Sequence, residues 1–83
     1  MLRRGDKIKI YRKQGKVYLS ELTISDVEPA EGGSIKVRIK EPAEGRGRPI
    51  PIVAVDKDGH EYEGQSWGND PREWGLILRP MKR

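Results

Sequence analysis

The feature of this sequence that most constrains its fold is an alternation of apolar and polar residues with a period of two. In SIKVRIK, residues 34–40, the three apolar side chains share one parity and the three cations share the other. Successive side chains of a strand point to opposite faces, so this pattern predicts a strand with one buried and one solvated face. DKIKIY, residues 6–11, alternates in the same way, and no segment keeps a helical period. The sequence therefore predicts an all-β protein.

A change of parity marks the segment VYLSELTISDV, which begins at Val17. Val17 and Leu19 share one parity, whereas Leu22 and Ile24 share the other. A strand cannot change parity without turning its buried face to solvent. With all four side chains expected in the core, the segment predicts a β-bulge or a sharp bend near residues 20–21.

Three further signals complete the set of strands. IPIVAV, residues 50–55, is apolar on both parities, which indicates burial on both faces, at a barrel seam or a subunit contact. Because Pro51 cannot donate to a ladder, this strand is expected to begin at a sheet edge or a bulge. Asp58-Gly59 is typical of a hairpin turn, and GLILRP, residues 75–80, predicts a last short strand.

Five or six short strands joined by tight turns predict a small meander barrel with a strongly bent second strand. An SH3-like barrel is the first choice and an OB-like barrel the second. The 83 residues form a single domain, residues 1–83, with no room for a second core. The expected core consists of Ile8, Ile10, Val17, Leu19, Leu22, Ile24, Val27, Ile35, Val37, Ile39, Ile52, Val55, Tyr62, Leu76 and Leu78.

The composition excludes several classes of protein. Charged residues make up 36% of the chain and hydrophobic residues 34%, but the regular alternation favours a folded domain with a charged surface over a disordered chain. The absence of cysteine excludes disulfides and thiolate chemistry. No apolar run approaches the roughly 18 residues that span a bilayer, and the first residues lack the apolar region of a signal peptide. We therefore expect a cytoplasmic protein without membrane contact.

Positive charge is concentrated at the two ends of the chain. The net charge is +5 over residues 1–40, −4 over residues 41–70 and +3 over residues 71–83. Cations on the outward parity of strands can neutralise phosphates, and an aromatic ring can stack on an unpaired base. The leading hypothesis is a regulatory, non-enzymatic module that binds DNA or RNA mainly through phosphate contacts. Its predicted binding residues are Lys7, Lys9, Tyr11, Lys36, Arg38, Lys40, Arg46 and Arg48.

Catalytic and metal-binding signals are weak. His60 is the single histidine, and the sequence spacing shows no nucleophile and orienting group to accompany it. DKDG, beginning at Asp56, is similar to the start of a calcium loop, but Trp67 stands at the twelfth position, where such a loop needs a bidentate Glu. We expect no catalytic residues, no metal and no cofactor. Trp67 and Trp74 are interpreted as packing residues, with base stacking as the alternative.

A second hypothesis, from a different class of function, is a protein-binding adaptor or inhibitor. Such a protein would act through an edge strand and through a charged surface that recognises an acidic protein partner. The apolar strand at residues 50–55 also predicts a homodimer formed through that strand. Self-association would add buried area to a small core.

A third hypothesis comes from a resemblance. Arg4-Gly5-Asp6, together with Arg48-Pro49 before the apolar IPIV, resembles the MazF/Kid toxin ribonucleases, which have an SH3-like barrel, an early Arg-Gly-Asp and a later Arg-Pro before an apolar strand. Forty-one residues separate the two elements here, a longer separation than the compact spacing of that family. The resemblance implies an endoribonuclease with Arg4 and Arg48 as its site residues.

Overall fold

The computed structural model describes residues 2–42, 50–70 and 72–81. Within these ranges the chain forms six antiparallel strands that close into a barrel. The strands are β1 (Lys7–Arg12), β2 (Val17–Pro29), β3 (Ile35–Ile39), β4 (Pro51–Val55), β5 (Glu61–Asp70) and β6 (Glu73–Pro80). The predicted all-β class and the six-stranded barrel are confirmed. In the part of the chain that the structure describes, no helix has the length and apolar character to cross a membrane.

The strand order differs from that of a simple meander. Around the barrel the strands follow the order β1-β2-β3-β6-β5-β4, and β4 closes the barrel against β1. Two three-stranded meanders are thus joined, with β3 pairing to β6 rather than to β4. Strand β4 has a partner on each side, since Val55 lies opposite both Lys9 and Glu61. The predictions of an edge strand at residues 50–55 and of a homodimer that pairs through it are therefore wrong, because the backbone groups of this strand are already used.

Burial of β4 on both faces, in contrast, is confirmed. Ile52, Val53 and Ala54 are 3%, 4% and 0% exposed. Val53 points outward, but Lys13 and Lys16, which follow β1, reach across β4 to carboxylates on β5 at 3.1 and 3.2 Å. The aliphatic stems of these two lysines cover the apolar outer face of the strand. The burial arises within one chain and needs no subunit contact.

Strand β2 contains two bulges. Ile10 lies opposite Ser20 and the next residue, Tyr11, lies opposite Tyr18, so Leu19 is an extra residue without a partner in β1. The second bulge falls at residue 25, where the pairing passes from β1 to β3. The predicted bend is present, but it begins one residue earlier than expected and occurs twice. Val17 and Leu19 are 53% and 40% exposed, so their predicted place in the core is wrong.

The inward-facing side chains form one core inside the barrel. Leu2, from the segment before β1, joins this core although the alternation did not predict it. Val55, which was expected inside, points outward and is only partly buried. The buried core side chains within the strands are Ile8, Ile10, Leu22, Ile24, Val37, Ile39, Ile52, Ala54, Tyr62, Leu76 and Leu78.

Candidate nucleic-acid interface

Two of the predicted binding residues, Lys7 and Lys40, flank one position of the bent strand β2. Lys7 lies opposite Thr23 in the β1–β2 ladder. On the other side of Thr23, the backbone N–H of Lys40 donates to the carbonyl oxygen of Thr23 at 2.9 Å. Neighbouring strands lie about 4.8 Å apart, so the backbones of Lys7 and Lys40 are separated by roughly 10 Å. Strands β1 and β3 are not neighbours, but the bend in β2 brings their exposed cations together at this point.

A hydrogen-bonded carboxylate holds this junction of strands in place. Glu41 accepts hydrogen bonds from the backbone N–H and from the hydroxyl of Thr23, both at 2.7 Å. Burial by itself would raise the pKa of Glu41, but the hydrogen bonds from Thr23 outweigh that effect and hold its pKa below the ordinary value. The indole N–H of Trp74 donates to the carbonyl oxygen of Glu41 at 2.7 Å. Trp74 therefore has the packing role predicted for it, against the core and beside the junction.

The lysines around Thr23 form no close ion pairs with neighbouring carboxylates. Within the described residues, none of Lys7, Lys9 and Lys40 has an ion-pair partner within 4 Å. The turn before β1 adds two more exposed arginines, since the N–H of Gly5 donates to the carbonyl oxygen of Ile24 at 2.8 Å and so docks this turn beside β2. We call the five residues the β2 cation cluster. Its members are Arg3, Arg4, Lys7, Lys9 and Lys40.

Acidic side chains near the cluster reduce its charge without cancelling it. Glu21 lies opposite Lys9 and is exposed. Asp6 accepts a hydrogen bond from the N–H of Arg3 at 3.0 Å and lies 3.9 Å from the ammonium group of Lys57. Among the described residues of this region, and with Lys57 included, six cations stand against the carboxylates of Asp6, Glu21 and Glu41. The surface is therefore net positive, which favours contact with a polyanion.

Lys36 and Arg38, the other predicted cations of β3, lie in a separate environment. Lys36 is 3.8 Å from a carboxylate oxygen of Glu28, and Arg38 is 3.2 Å from one of Glu73. The ammonium nitrogen of Lys36 is 4.3 Å from the ring centroid of Trp67, and the guanidinium carbon of Arg38 is 5.3 Å from it. Both cations are thus held over one aromatic ring by cation–π attraction.

The indole of Trp67, on β5, reaches the two cations of β3 because the intervening strand β6 has a glycine, with no side chain, at the position that separates them. Gly75 on β6 lies opposite Arg38 on one side and opposite Trp67 on the other. The indole of Trp67 lies across the gap, with its nitrogen 2.8 Å from where a β-carbon of residue 75 would be. That nitrogen is buried and has no hydrogen-bond partner within the described residues. Trp67 is partly exposed on the outer face, so the prediction that it packs in the core does not describe its position.

An open groove of about 300 Å³ lies on the outer face of β5 and β6. Gln65, which lines it, lies two residues before Trp67 on the same face of β5 and opposite Ile77, and Ile77 lies opposite Lys36. Trp67 and Lys36 are therefore neighbours of lining residues and are not part of the lining itself. The outward side chains that line it are Lys13, Glu63, Gln65, Ile77 and Arg79.

The remaining predicted residues are placed apart from these two regions or are not described. The ring of Tyr11 packs edge-to-face on that of Tyr18, with centroids 5.5 Å apart, near the β1–β2 turn. Arg46 and Arg48 lie outside the described residues. Of the two residues that the ribonuclease resemblance implies, Arg4 belongs to the β2 cation cluster, whereas the position of Arg48 relative to it is not described.

The β4–β5 turn accounts for the histidine and for the acidic residues around it. One oxygen of Asp56 accepts the backbone N–H groups of Asp58 and His60, both at 2.9 Å, and the other accepts the hydroxyl of Tyr62 at 3.1 Å. Burial alone would raise the pKa of Asp56, but these hydrogen bonds together hold it below the ordinary value. Oxygen and nitrogen atoms of Asp56, Asp58 and His60 lie within 4.8 Å of one another, an arrangement that the turn explains fully. The flanking segments are strands, as predicted, and the hairpin at Asp58-Gly59 is confirmed.

The fold and this surface together define a small closed β-barrel with a cationic outer face and an open groove on β5 and β6. Comparison of the chain with protein-family models, with curated proteins and with solved structures finds no match.

Proposed function

We propose that this protein is a cytoplasmic, regulatory nucleic-acid-binding module that holds DNA or RNA mainly through phosphate contacts. The observation that carries the proposal is the β2 cation cluster. Lys7, Lys9 and Lys40 are exposed, lie on both sides of Thr23 and form no ion pair within 4 Å among the described residues, although Glu41 lies close enough to Lys40 to interact with its charge. A phosphate that approaches them gains charge-assisted hydrogen bonds without first breaking an ion pair. Each contact also releases a counterion from the nucleic acid.

Lys36 and Arg38 extend the same surface along β3. Their carboxylate partners are weak competitors for a phosphate, because exposed ion pairs contribute about 0–1 kcal/mol and are screened by salt. The Arg38 pair is open to solvent, with the two side chains 37% and 66% exposed. Both cations can therefore exchange a carboxylate for a phosphate at small cost.

Single charge removals combined with a salt titration test the proposal. Lys7→Gln and Lys40→Gln each remove one positive charge from the cluster. Lys16→Gln is the matched control, because it makes the same change in net charge at an exposed lysine that is paired with Glu61 at 3.2 Å, outside the cluster. Binding of a labelled oligonucleotide is followed by fluorescence anisotropy at several salt concentrations. Both cluster variants are expected to reduce the slope of log K against log[salt] by about 0.7–0.9, whereas the control keeps the wild-type slope.

Two results would contradict the proposal. One is the absence of binding to single- and double-stranded oligonucleotides at about 50 mM salt, where phosphate contacts are strong. The other is an equal effect of all three substitutions, which would mean that net charge alone, and not the cluster, governs the affinity.

A protein-binding role is the second candidate function, and one observation favours it. Val17, Tyr18 and Leu19 are 53%, 53% and 40% exposed, so three consecutive large residues of β2 face solvent. Because residues 50–55 do not form an edge strand, an acidic protein partner would bind through this apolar patch and the charged surface instead. A partner that co-purifies after nuclease treatment with the wild type, but not with Leu19→Lys, would support this function. A partner that co-purifies equally with the wild type and with Leu19→Lys would argue against binding through this patch.

A further inference from the structure

We infer that the groove beside Trp67 binds unpaired bases, so that the nucleic acid recognised by this protein is single-stranded. The inference rests on the proposed function, because it assigns the polymer that the β2 cation cluster holds. Gln65, Ile77 and Arg79 line the groove, Trp67 follows Gln65 by two residues on the same face of β5, and Lys36 lies opposite Ile77.

The first argument is the position of Trp67. Its indole lies on the outer face of the barrel, over the gap at Gly75, where the residue is partly exposed and where Lys36 and Arg38 lie over the ring. The two tryptophans also differ in what they do for the fold. The indole N–H of Trp74 donates a 2.7 Å hydrogen bond to Glu41, whereas that of Trp67 has no partner within the described residues. An aromatic ring that sits among cations on a sheet surface is the arrangement that single-strand-binding proteins use to stack bases.

The chemistry of the groove provides the second argument. Its lining combines the apolar Ile77 with the polar Gln65 and Arg79 and with the Lys13–Glu63 ion pair. A nucleobase has apolar faces and a polar edge, so it matches a lining that combines apolar and hydrogen-bonding side chains. In a duplex these faces and edges are already occupied by stacking and pairing. A base can therefore enter the groove only when it is unpaired.

The third argument is that the groove continues into the phosphate-binding surface. Lys36 lies opposite Ile77 in the β3–β6 ladder, and Lys40 follows four residues later, beside Thr23. Successive outward cations on β3 thus lead from the groove to the β2 cation cluster. A strand whose base stacks on Trp67 can place its phosphates along this row.

The two tryptophans allow a direct test by fluorescence. In Trp74→Phe the sole indole is Trp67, and in Trp67→Phe it is Trp74. Each variant is titrated with oligothymidylate of about 15 nucleotides, a length within the site sizes known for single-strand-binding folds, and with a duplex of equal length. Binding is measured in parallel by anisotropy of a labelled strand. Oligothymidylate is expected to quench Trp67 with the same midpoint as the anisotropy change, and to leave Trp74 unaffected.

Affinity measurements complete the test. Trp67→Ala is expected to weaken binding of oligothymidylate by at least about fivefold, the lower end of the range for a stacked base, and to leave duplex affinity unchanged. Trp67→Phe, which keeps a ring, should lose less. The quenching experiment keeps its meaning if Trp67→Ala fails to fold, because it needs only the Trp74→Phe variant.

The outcomes separate the inference from the proposed function. If anisotropy shows binding while Trp67 is not quenched, or while single strand and duplex bind equally well, the inference is overturned and the proposed function stands. If neither polymer binds, both fail. Quenching of Trp67 by single strand but not by duplex supports both.

Discussion

Tyr62→Phe tests the hydrogen bonding beneath the β4–β5 turn, which is the part of the barrel where a buried charge organises the backbone. Tyr62 is 5% exposed, and its hydroxyl donates to the carboxylate of Asp56, which is 8% exposed. A hydrogen bond to a charged group contributes about 1.5–3 kcal/mol. We expect the substitution to lower the free energy of unfolding by an amount of that order at pH 7. In a domain of this size each 1 kcal/mol corresponds to a fall in Tm of about 4–8 °C.

The same substitution has a second, pH-dependent consequence. Burial, together with the hydrogen bond to Asp56, raises the pKa of Tyr62 from 10.0 to about 12. A raised pKa in the folded state means that the stabilisation is complete below the unfolded-state value and is lost as the pH rises through the folded-state value. The complete loss, from well below pH 10 to well above pH 12, amounts to about 2.7 kcal/mol, of which roughly 1.4 kcal/mol is lost by pH 11. Phenylalanine has no proton to lose, so the difference in stability between the wild type and Tyr62→Phe should narrow by roughly 1.4 kcal/mol at pH 11.

Urea unfolding of both proteins at pH 7 and pH 11 measures this difference. The two proteins differ only at residue 62, so the contributions of all other groups cancel in the comparison. A difference in stability that is the same at the two pH values would refute the reasoning. It would mean that the Tyr62 hydroxyl ionises as easily in the folded protein as in the unfolded chain.

Two further predictions concern the limits of the core and the contact between β3 and β6. Leu19→Lys should change the free energy of unfolding by no more than about 0.5 kcal/mol, because Leu19 is 40% exposed. Ile8→Ala should lower it by about 2–5 kcal/mol, because Ile8 is 0% exposed. Equal costs in urea unfolding would show that the bulge at Leu19 is misplaced. Gly75→Ala should lower the free energy of unfolding by about 1–3 kcal/mol or more, because the added methyl group would overlap the carbonyl oxygen of Val37. In a Trp74→Phe background it should also alter the fluorescence emission of Trp67, because the methyl group would lie 2.8 Å from the indole nitrogen. A variant with unchanged stability and emission would contradict the close approach of these strands.

Alternation predicted β1 and β3 and the faces that they bury, because both depend on local pattern. Ile8 and Ile10, like Val37 and Ile39, are buried as their parity requires, and Lys36 and Arg38 lie on the outside. The register of β2 could not be predicted with the same accuracy. A change of parity shows that an extra residue is needed, but the partner strand decides which residue it is. Leu19 was placed inside for that reason, although it is the extra residue and is exposed.

The candidate site depends on strand order, which local pattern does not determine. The neighbourhood of Trp67 and Arg38 exists only because β6 lies between β5 and β3 and carries Gly75 at that position. A meander would have placed β4 next to β3 and would have separated the two side chains. The meeting of Lys7 and Lys40 similarly requires one strand to pair with β1 along its first half and with β3 along its second half. The bulge signal in β2 was the available clue to this arrangement.

The energies of the Trp67 region indicate how the two parts of the surface divide their roles. In the free protein Lys36 and Arg38 lie over the indole, and each such contact contributes about 0.5–1 kcal/mol at an exposed site. A stacked base contributes about 1–3 kcal/mol but must displace cations from the ring. The displaced cations exchange carboxylates for phosphates, and this exchange changes the free energy of binding little when the pairs are exposed. The net gain from Trp67 is therefore expected at the lower end of this range, about 1 kcal/mol or about fivefold, and most of the affinity must come from the β2 cation cluster. Removal of the indole should accordingly change the ratio of single-strand to duplex affinity while leaving the salt slope nearly unchanged, since that slope counts phosphate contacts.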